Sequence, residues 1–417
     1  MKLEKFDYQI GNKRQKKTFL TLGLVCLGAF IIVILYRTFA RFEVTDSYNI
    51  IGGKVAHFTV ADGFTIYLVA EDGTEISTRI IPTEDEYVYD TARSKCVNGT
   101  EIVYDKNTDS ITIDKTAGDT CSVYFNYVPL AKQTLYALGY TDADIKSGTP
   151  YGQDEPAEDG FYVAEDNYGT SYYYYSVNNY PPFIGFANMT WNIIRINGDG
   201  SLRIMSQDAY ESGYFNPQND DNTYLGYKYG SVGVDNILET QSNATDSWLK
   251  DFLASYWWGV VFEEYSSMIS DTYFCNDRTV YKADYGQKEA DDTALGTGTN
   301  TTYYGAYYRL RNNTPTLMCN KNDAFTVTES KYGNGQGGKP IGLITADEAY
   351  MTNYLSWIYA PMTMTPAMFK DNLAYIYLYD SGFQYSLVSE AQLMYPVINL
   401  RYGLTYDGTP DWFDVYE

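Results

Sequence analysis

The chain of 417 residues contains one histidine, five cysteines and only 30 Lys and Arg against 53 Asp and Glu. The single His57 removes most imidazole-based catalysis and His-rich metal binding, and in Val55-Ala56-His57-Phe58 it reads as structural. The basic deficit, a net charge of −23, argues against a nucleic-acid partner, because a phosphate backbone needs a basic face. No CxxC pair exists, so a thiolate metal site lacks its usual closely spaced ligands. Ser247-Trp248-Leu249-Lys250 fits SxxK, but no KTG or KSG accompanies it, and Asp246-Ser247 reads instead as a helix cap. No catalytic residue is assigned. Aromatics, by contrast, reach 17%, with 45 tyrosines, which excludes a merely acidic disordered chain.

Charge is also missing from Thr18 to Tyr36 (TFLTLGLVCLGAFIIVILY). A helix over those residues is long enough to cross a hydrocarbon core of about 30 Å. Lys2, Lys5, Lys13, Arg14, Lys16 and Lys17 precede it against Glu4 and Asp7, which places the N-terminus in the cytoplasm and the acidic remainder outside. The bulky, charged Tyr36-Arg37-Thr38-Phe39-Ala40-Arg41 favours an uncleaved signal-anchor over a cleaved signal peptide. The expected partners are thus the membrane, through residues 18–36, and an extracellular protein or glycan. Cys26 falls in the apolar run. Pairing the other four by proximity gives Cys96–Cys121 and Cys275–Cys319, one of three possible connectivities, in an oxidising exterior.

The expected organisation is a basic tail at 1–17, a transmembrane signal-anchor at 18–36, a small antiparallel β-sandwich spacer at 37–128, and a mixed α+β, β-rich domain at 129–417. Short β-rich runs at 64–69, 74–78, 101–104, 110–113 and 121–125 carry the spacer. In the end domain, Trp191–Ile196 and Ser201–Met205 flank Asn197-Gly198-Asp199-Gly200 as a hairpin. Apolar residues at 248, 249, 252, 253 and 256 have helical spacing, and Thr345 with Glu348 forms a capping box. Ala374–Tyr379 alternates with period two and Pro396–Leu400 reads as a strand.

WNIIRINGDGSLRIM (191–205), FCNDR (274–278), YGAYYRLRNN (304–313), PTLMCNKNDAFTV (315–327), PIGLITADEAYM (340–351) and YPVINLRYGL (395–404) together resemble a set of uncharacterised bacterial signal-anchored surface proteins. YRTFARFE (36–43) and CVNGTEIVYD (96–105) add to the likeness. The resemblance implies a C-type-lectin-like or formylglycine-generating-enzyme-like end domain. It also implies a disulfide between Cys275 and Cys319, which would leave no reactive cysteine for formylglycine chemistry. Tyr395 stands where that family usually carries Arg before the closing Pro-Val.

The candidate ligand-binding residues are Tyr375, Tyr377 and Tyr379, on one face of their strand, with Trp357, Tyr359, Phe383 and Tyr385 beside them. Tyrosine combines a rigid apolar ring with a hydroxyl at small entropic cost. The competing reading is a second packed layer. Tyr172–Tyr175 reads as strand packing with two rings buried and two exposed, and Tyr303-Tyr304 and Tyr307-Tyr308 read likewise as packing. Calcium is the one cofactor weighed, at Asp220-Asp221, Asp142 with Asp144, and Asp407 with Asp411; no EF-hand, EPN or QPD pattern supports it, and acidic solvated loops are the preferred reading. The function expected is a membrane-anchored surface binding or adhesion protein. The alternatives are a structural envelope component and, with less support, an extracytoplasmic enzyme.

Overall fold

A computed structural model describes residues 64–113, 119–152, 157–177, 180–209, 211–281, 294–353, 361–379, 383–409 and 412–416. The chain divides into two compact units, one ending at Val128 and the other beginning at Pro129.

In the first unit, β-branched and aromatic residues form a five-stranded sheet. Glu75–Thr78, Phe64–Val69, Cys121–Tyr127 and Tyr87–Tyr89 lie in that order, with Lys95–Cys96 also on Cys121–Tyr127. The hairpin Ile102–Asp105/Ser110–Ile113 covers it. Ile66, Val123 and Phe125 are its buried centre, with Ile102, Tyr104 and Ile111 packed onto them. The Cys96–Cys121 disulfide ties two paired strands.

The expected fold class needs two corrections. The sheet is mixed, because Phe64–Val69 and Cys121–Tyr127 run parallel. Parallel neighbours need a long crossover, and three further strands and the hairpin lie between the two in chain order. Among the described residues, no helix is long and apolar enough to cross a membrane. The span expected at 18–36, like His57 and Cys26, lies outside them. The β-rich character does fit.

The second unit holds two larger sheets. The nine-stranded sheet is organised around Met189–Ile196, which pairs with Gly169–Tyr175, Phe183–Phe186 and Leu202–Ser206. Leu202–Ser206 in turn pairs with Val397–Leu400. The turn between Met189–Ile196 and Leu202–Ser206 needs glycine at Gly200. Its φ is +79°, and a Cβ there would meet Tyr402 at 2.8 Å and Leu130 at 2.9 Å. A bulge between Ile193 and Arg195 re-aims the end of the central strand. The five-stranded sheet runs Val280–Tyr281, Thr302–Tyr304, Met362–Lys370, Leu373–Tyr379, Phe383–Leu387. One hydrophobic core joins the two sheets, with Ile193, Ile204 and Val397 from one and Met364, Ile376 and Leu378 from the other.

Leu373–Tyr379 alternates as its sequence dictates. Ala374, Ile376 and Leu378 enter that core, while Tyr375 and Tyr377 face a separate cluster of Ala306, Leu310, Ala346 and Ala367 from the helices Gly305–Arg311 and Ala346–Thr352 and a neighbouring strand. The Tyr172–Tyr175 run departs from two-in, two-out. Tyr172, Tyr173 and Tyr175 are all buried, because both faces of their strand are covered. The helix at Trp248–Phe252 continues as a π-helical segment, Leu253–Phe262.

Candidate functional site

Arg195 and Arg203 stand directly opposite each other on adjacent antiparallel strands. Two like charges so placed repel, and both are buried. Glu348 compensates. Arg195 Nε donates to Glu348 Oε1 at 3.0 Å. Arg203 Nη2 donates to Oε2 at 3.2 Å, and Arg203 Nε approaches Oε1 at 2.6 Å as a charge contact. Glu348 can reach both because it is the third residue of its helix. Thr345 Oγ1 accepts from Glu348 N at 3.1 Å, and Thr345 N donates to Glu348 Oε2 at 2.9 Å. The capping box read from sequence is therefore also the anchor of a buried ion network. Asp166 completes it, accepting from Arg195 Nη1 at 3.0 Å and from Gly198 N at 3.0 Å.

Burial and pairing pull these groups in opposite directions. Burial opposes the charge on Glu348, but Arg203 and Arg195 outweigh it and hold the carboxyl below its ordinary value. Burial raises Asp166, only partly offset by Arg195. Burial lowers Arg203 despite Glu348. The hydroxyl of Tyr273, pushed up to about 12 by burial, donates to Leu317 O at 2.8 Å beside them.

Next to this network, Arg309 makes a bidentate pair with Asp347 at 2.8 and 2.9 Å and reaches Asp277 at 2.7 Å. The cavity among these groups has about 20 Å³ of free space. That volume admits one water and no sugar ring or metabolite. Cys275, which lines it, is bridged to Cys319. Its charges pair with one another, so the cavity acts as a polar keystone.

A different kind of surface lies where the end of helix Gly305–Arg311 meets the five-stranded sheet. The guanidinium of Arg311 sits 4.1 Å above the Tyr307 ring and donates from Nη2 to the Tyr385 hydroxyl at 2.9 Å. Tyr377 and Tyr385, cross-strand partners, have ring centroids 5.3 Å apart. Tyr303 packs on Tyr307 at 4.5 Å. Of the sequence candidates, Tyr375 and Tyr385 are half-buried in this cluster. Tyr377 is only 1% exposed and supports the cluster from beneath; that burial corrects its expected role as a ligand contact, since helices Gly305–Arg311 and Ala346–Thr352 cover its face of the strand. Tyr379 and Phe383 pair through their backbones. Their side chains, and Trp357 and Tyr359, lie outside the described residues.

Arg311 and Tyr307 were not among the sequence candidates, although YGAYYRLRNN carries both. The signal was their i, i+4 spacing on one helix, which stacks cation on ring. A second aromatic feature was also missed. Trp248, Phe252 and Tyr256 stack in a ladder at 5.0 and 5.3 Å, with Tyr214 edge-on to Trp248 at 5.8 Å. The core is filled instead by Leu249, Leu253 and Trp257 of the same helix.

Of the acidic residues weighed for calcium, three serve local structure, and Asp411 lies outside the described residues. Asp221 caps Asn222–Leu225, Asp142 pairs with Lys132 at 3.0 Å, and Asp144 closes a capping box with Thr141. Among the described residues, the one close trio of metal-ligand types is Cys96, Asp119 and Cys121, and its two sulfurs are bonded to each other. No family model matches this chain, and no curated protein or solved structure matches it either.

Proposed function

We propose that the chain is a binding protein displayed outside the cytoplasmic membrane, held there through residues 18–36, and that the tyrosine cluster around Arg311 is its recognition surface. The carrying observation is the exposed Arg311 guanidinium held between Tyr307 and Tyr385. Rigid rings with hydroxyls give contact area at small entropic cost, which suits recognition of an external ligand. Both disulfides join residues beyond the apolar run at 18–36, which supports an oxidising compartment for that portion. The basic flank ahead of residue 18 supports the same orientation.

The test is to screen the purified full-length chain against arrayed glycans and proteins, then repeat the measurement with Tyr307→Ala and Tyr385→Ala. The reading expects a ligand whose affinity falls at least tenfold in the variants. A well-folded chain that binds nothing, or binds equally well without those rings, contradicts it.

A further inference from the structure

Among the described residues, many basic side chains have acidic partners. Arg195, Arg203, Lys228, Lys250, Arg278 and Arg309 are all paired with buried or half-buried carboxylates. The more exposed Arg93, Lys132, Lys146 and Lys321 are paired too. Arg311, like Lys331 over Tyr332 and Lys339 over Trp258, has aromatic rather than acidic partners. It is exposed, yet among the described residues its partners are rings: Tyr307 under its plane and the Tyr385 hydroxyl at 2.9 Å. One N–H is used by Tyr385, and the fork keeps its other donors. The side chain is thus held, with no carboxylate partner among the described residues, in a setting of apolar ring and hydroxyl.

From this geometry we infer that Arg311 is an anion subsite for a sugar bearing a single carboxylate, with Tyr307, Tyr375 and Tyr385 receiving the sugar ring beside it. This rests on the binding role proposed above and specifies its ligand. A guanidinium takes a carboxylate through two parallel N–H donors, and its orientation by two tyrosines lowers the entropic cost of doing so. Sugar rings alternate C–H faces with hydroxyls, which matches a patch of ring edges and phenol groups. The net charge of −23 repels polyanions, so a strongly acidic peptide or a densely sulfated chain meets an unfavourable field, whereas one carboxylate needs only one local cation. The patch has that one: Arg309, on the same helix, is committed to Asp347 and Asp277.

The test uses the full-length chain, purified in detergent, and arrays of sialic-acid- and glucuronic-acid-terminated oligosaccharides. Each is spotted beside its methyl ester, its neutral galactose- or glucose-terminated counterpart, and acidic peptides. Wild type, Arg311→Gln and Arg311→Lys are compared, with thermal melting as the folding control. The inference expects binding to a carboxylated glycan, lost at least tenfold on esterification and in Arg311→Gln, and partly kept in Arg311→Lys. Equal binding of acid and ester, or an Arg311→Gln variant that binds as wild type, overturns it. Binding to proteins or neutral glycans alone overturns this inference and leaves the broader binding role standing; a folded chain that binds nothing overturns both.

Discussion

Arg195 and Arg203 face each other across two paired strands and share the carboxylate of Glu348, which is 153 and 145 residues away from them in sequence. One anion thereby holds the nine-stranded sheet to the helix Ala346–Thr352, which also covers the tyrosine face of the five-stranded sheet.

Glu348→Gln leaves two buried guanidiniums without the anion they share. Removing one partner of such an arrangement costs about 3–5 kcal/mol. Denaturant unfolding should show that loss, whereas Thr345→Ala, which removes only the cap hydroxyl, should cost about 1 kcal/mol. Equal effects would show that the ion network adds little.

Gly213 has the Trp248 ring against its backbone, and a Cβ there would fall 2.4 Å from a ring carbon. Gly213→Ala should displace the indole and cost about 1–3 kcal/mol, the usual penalty for overpacking. Trp248 fluorescence should shift with it. An unchanged spectrum and stability would mean that the aromatic ladder is not seated as described.

The Cys275–Cys319 bridge spans 44 residues. In the chain-entropy account, closing such a loop contributes about 4 kcal/mol. Replacing both cysteines by serine should lower the melting temperature clearly, and reduction of the wild type should reproduce the shift. No shift in either case contradicts a structural role.

Buried tyrosines make the fold sensitive to alkali. Tyr273 is raised by burial from its ordinary 10.0 to about 12, and burial also raises Tyr173, Tyr227, Tyr304 and Tyr377. The unfolded chain loses these protons first, so stability falls as pH rises above the ordinary value. Tyrosinate absorbance should therefore appear in two stages: exposed rings first, then buried rings together with loss of circular dichroism. A single stage in a still-folded chain would contradict the burial pattern.

Local features were legible in the sequence because their causes are local. The hairpin at Asn197–Gly200, the capping box at Thr345 and Glu348, and the split faces of Ala374–Leu378 all follow from turn chemistry, helix-end donors and period-two alternation. Both disulfides join nearest neighbours in sequence. Relationships that depend on tertiary placement were hidden. Nothing near Glu348 in the chain announces Arg195 and Arg203, the parallel pairing of Phe64–Val69 with Cys121–Tyr127 requires knowing the crossover, and the burial of Tyr172, Tyr173 and Tyr175 depends on what covers each face. Arg311 reads in sequence as an ordinary helix-end cation until its second partner, Tyr385, arrives from a strand 74 residues on.

A recognition role for the tyrosine cluster requires that the bulk of the chain reside outside the cytoplasm. Protease added to intact cells that produce the protein, with a cytoplasmic protein as control, measures this directly. Digestion of the portion beyond residue 41 while the control survives is the predicted result; a chain that stays whole until the cells are lysed would contradict it.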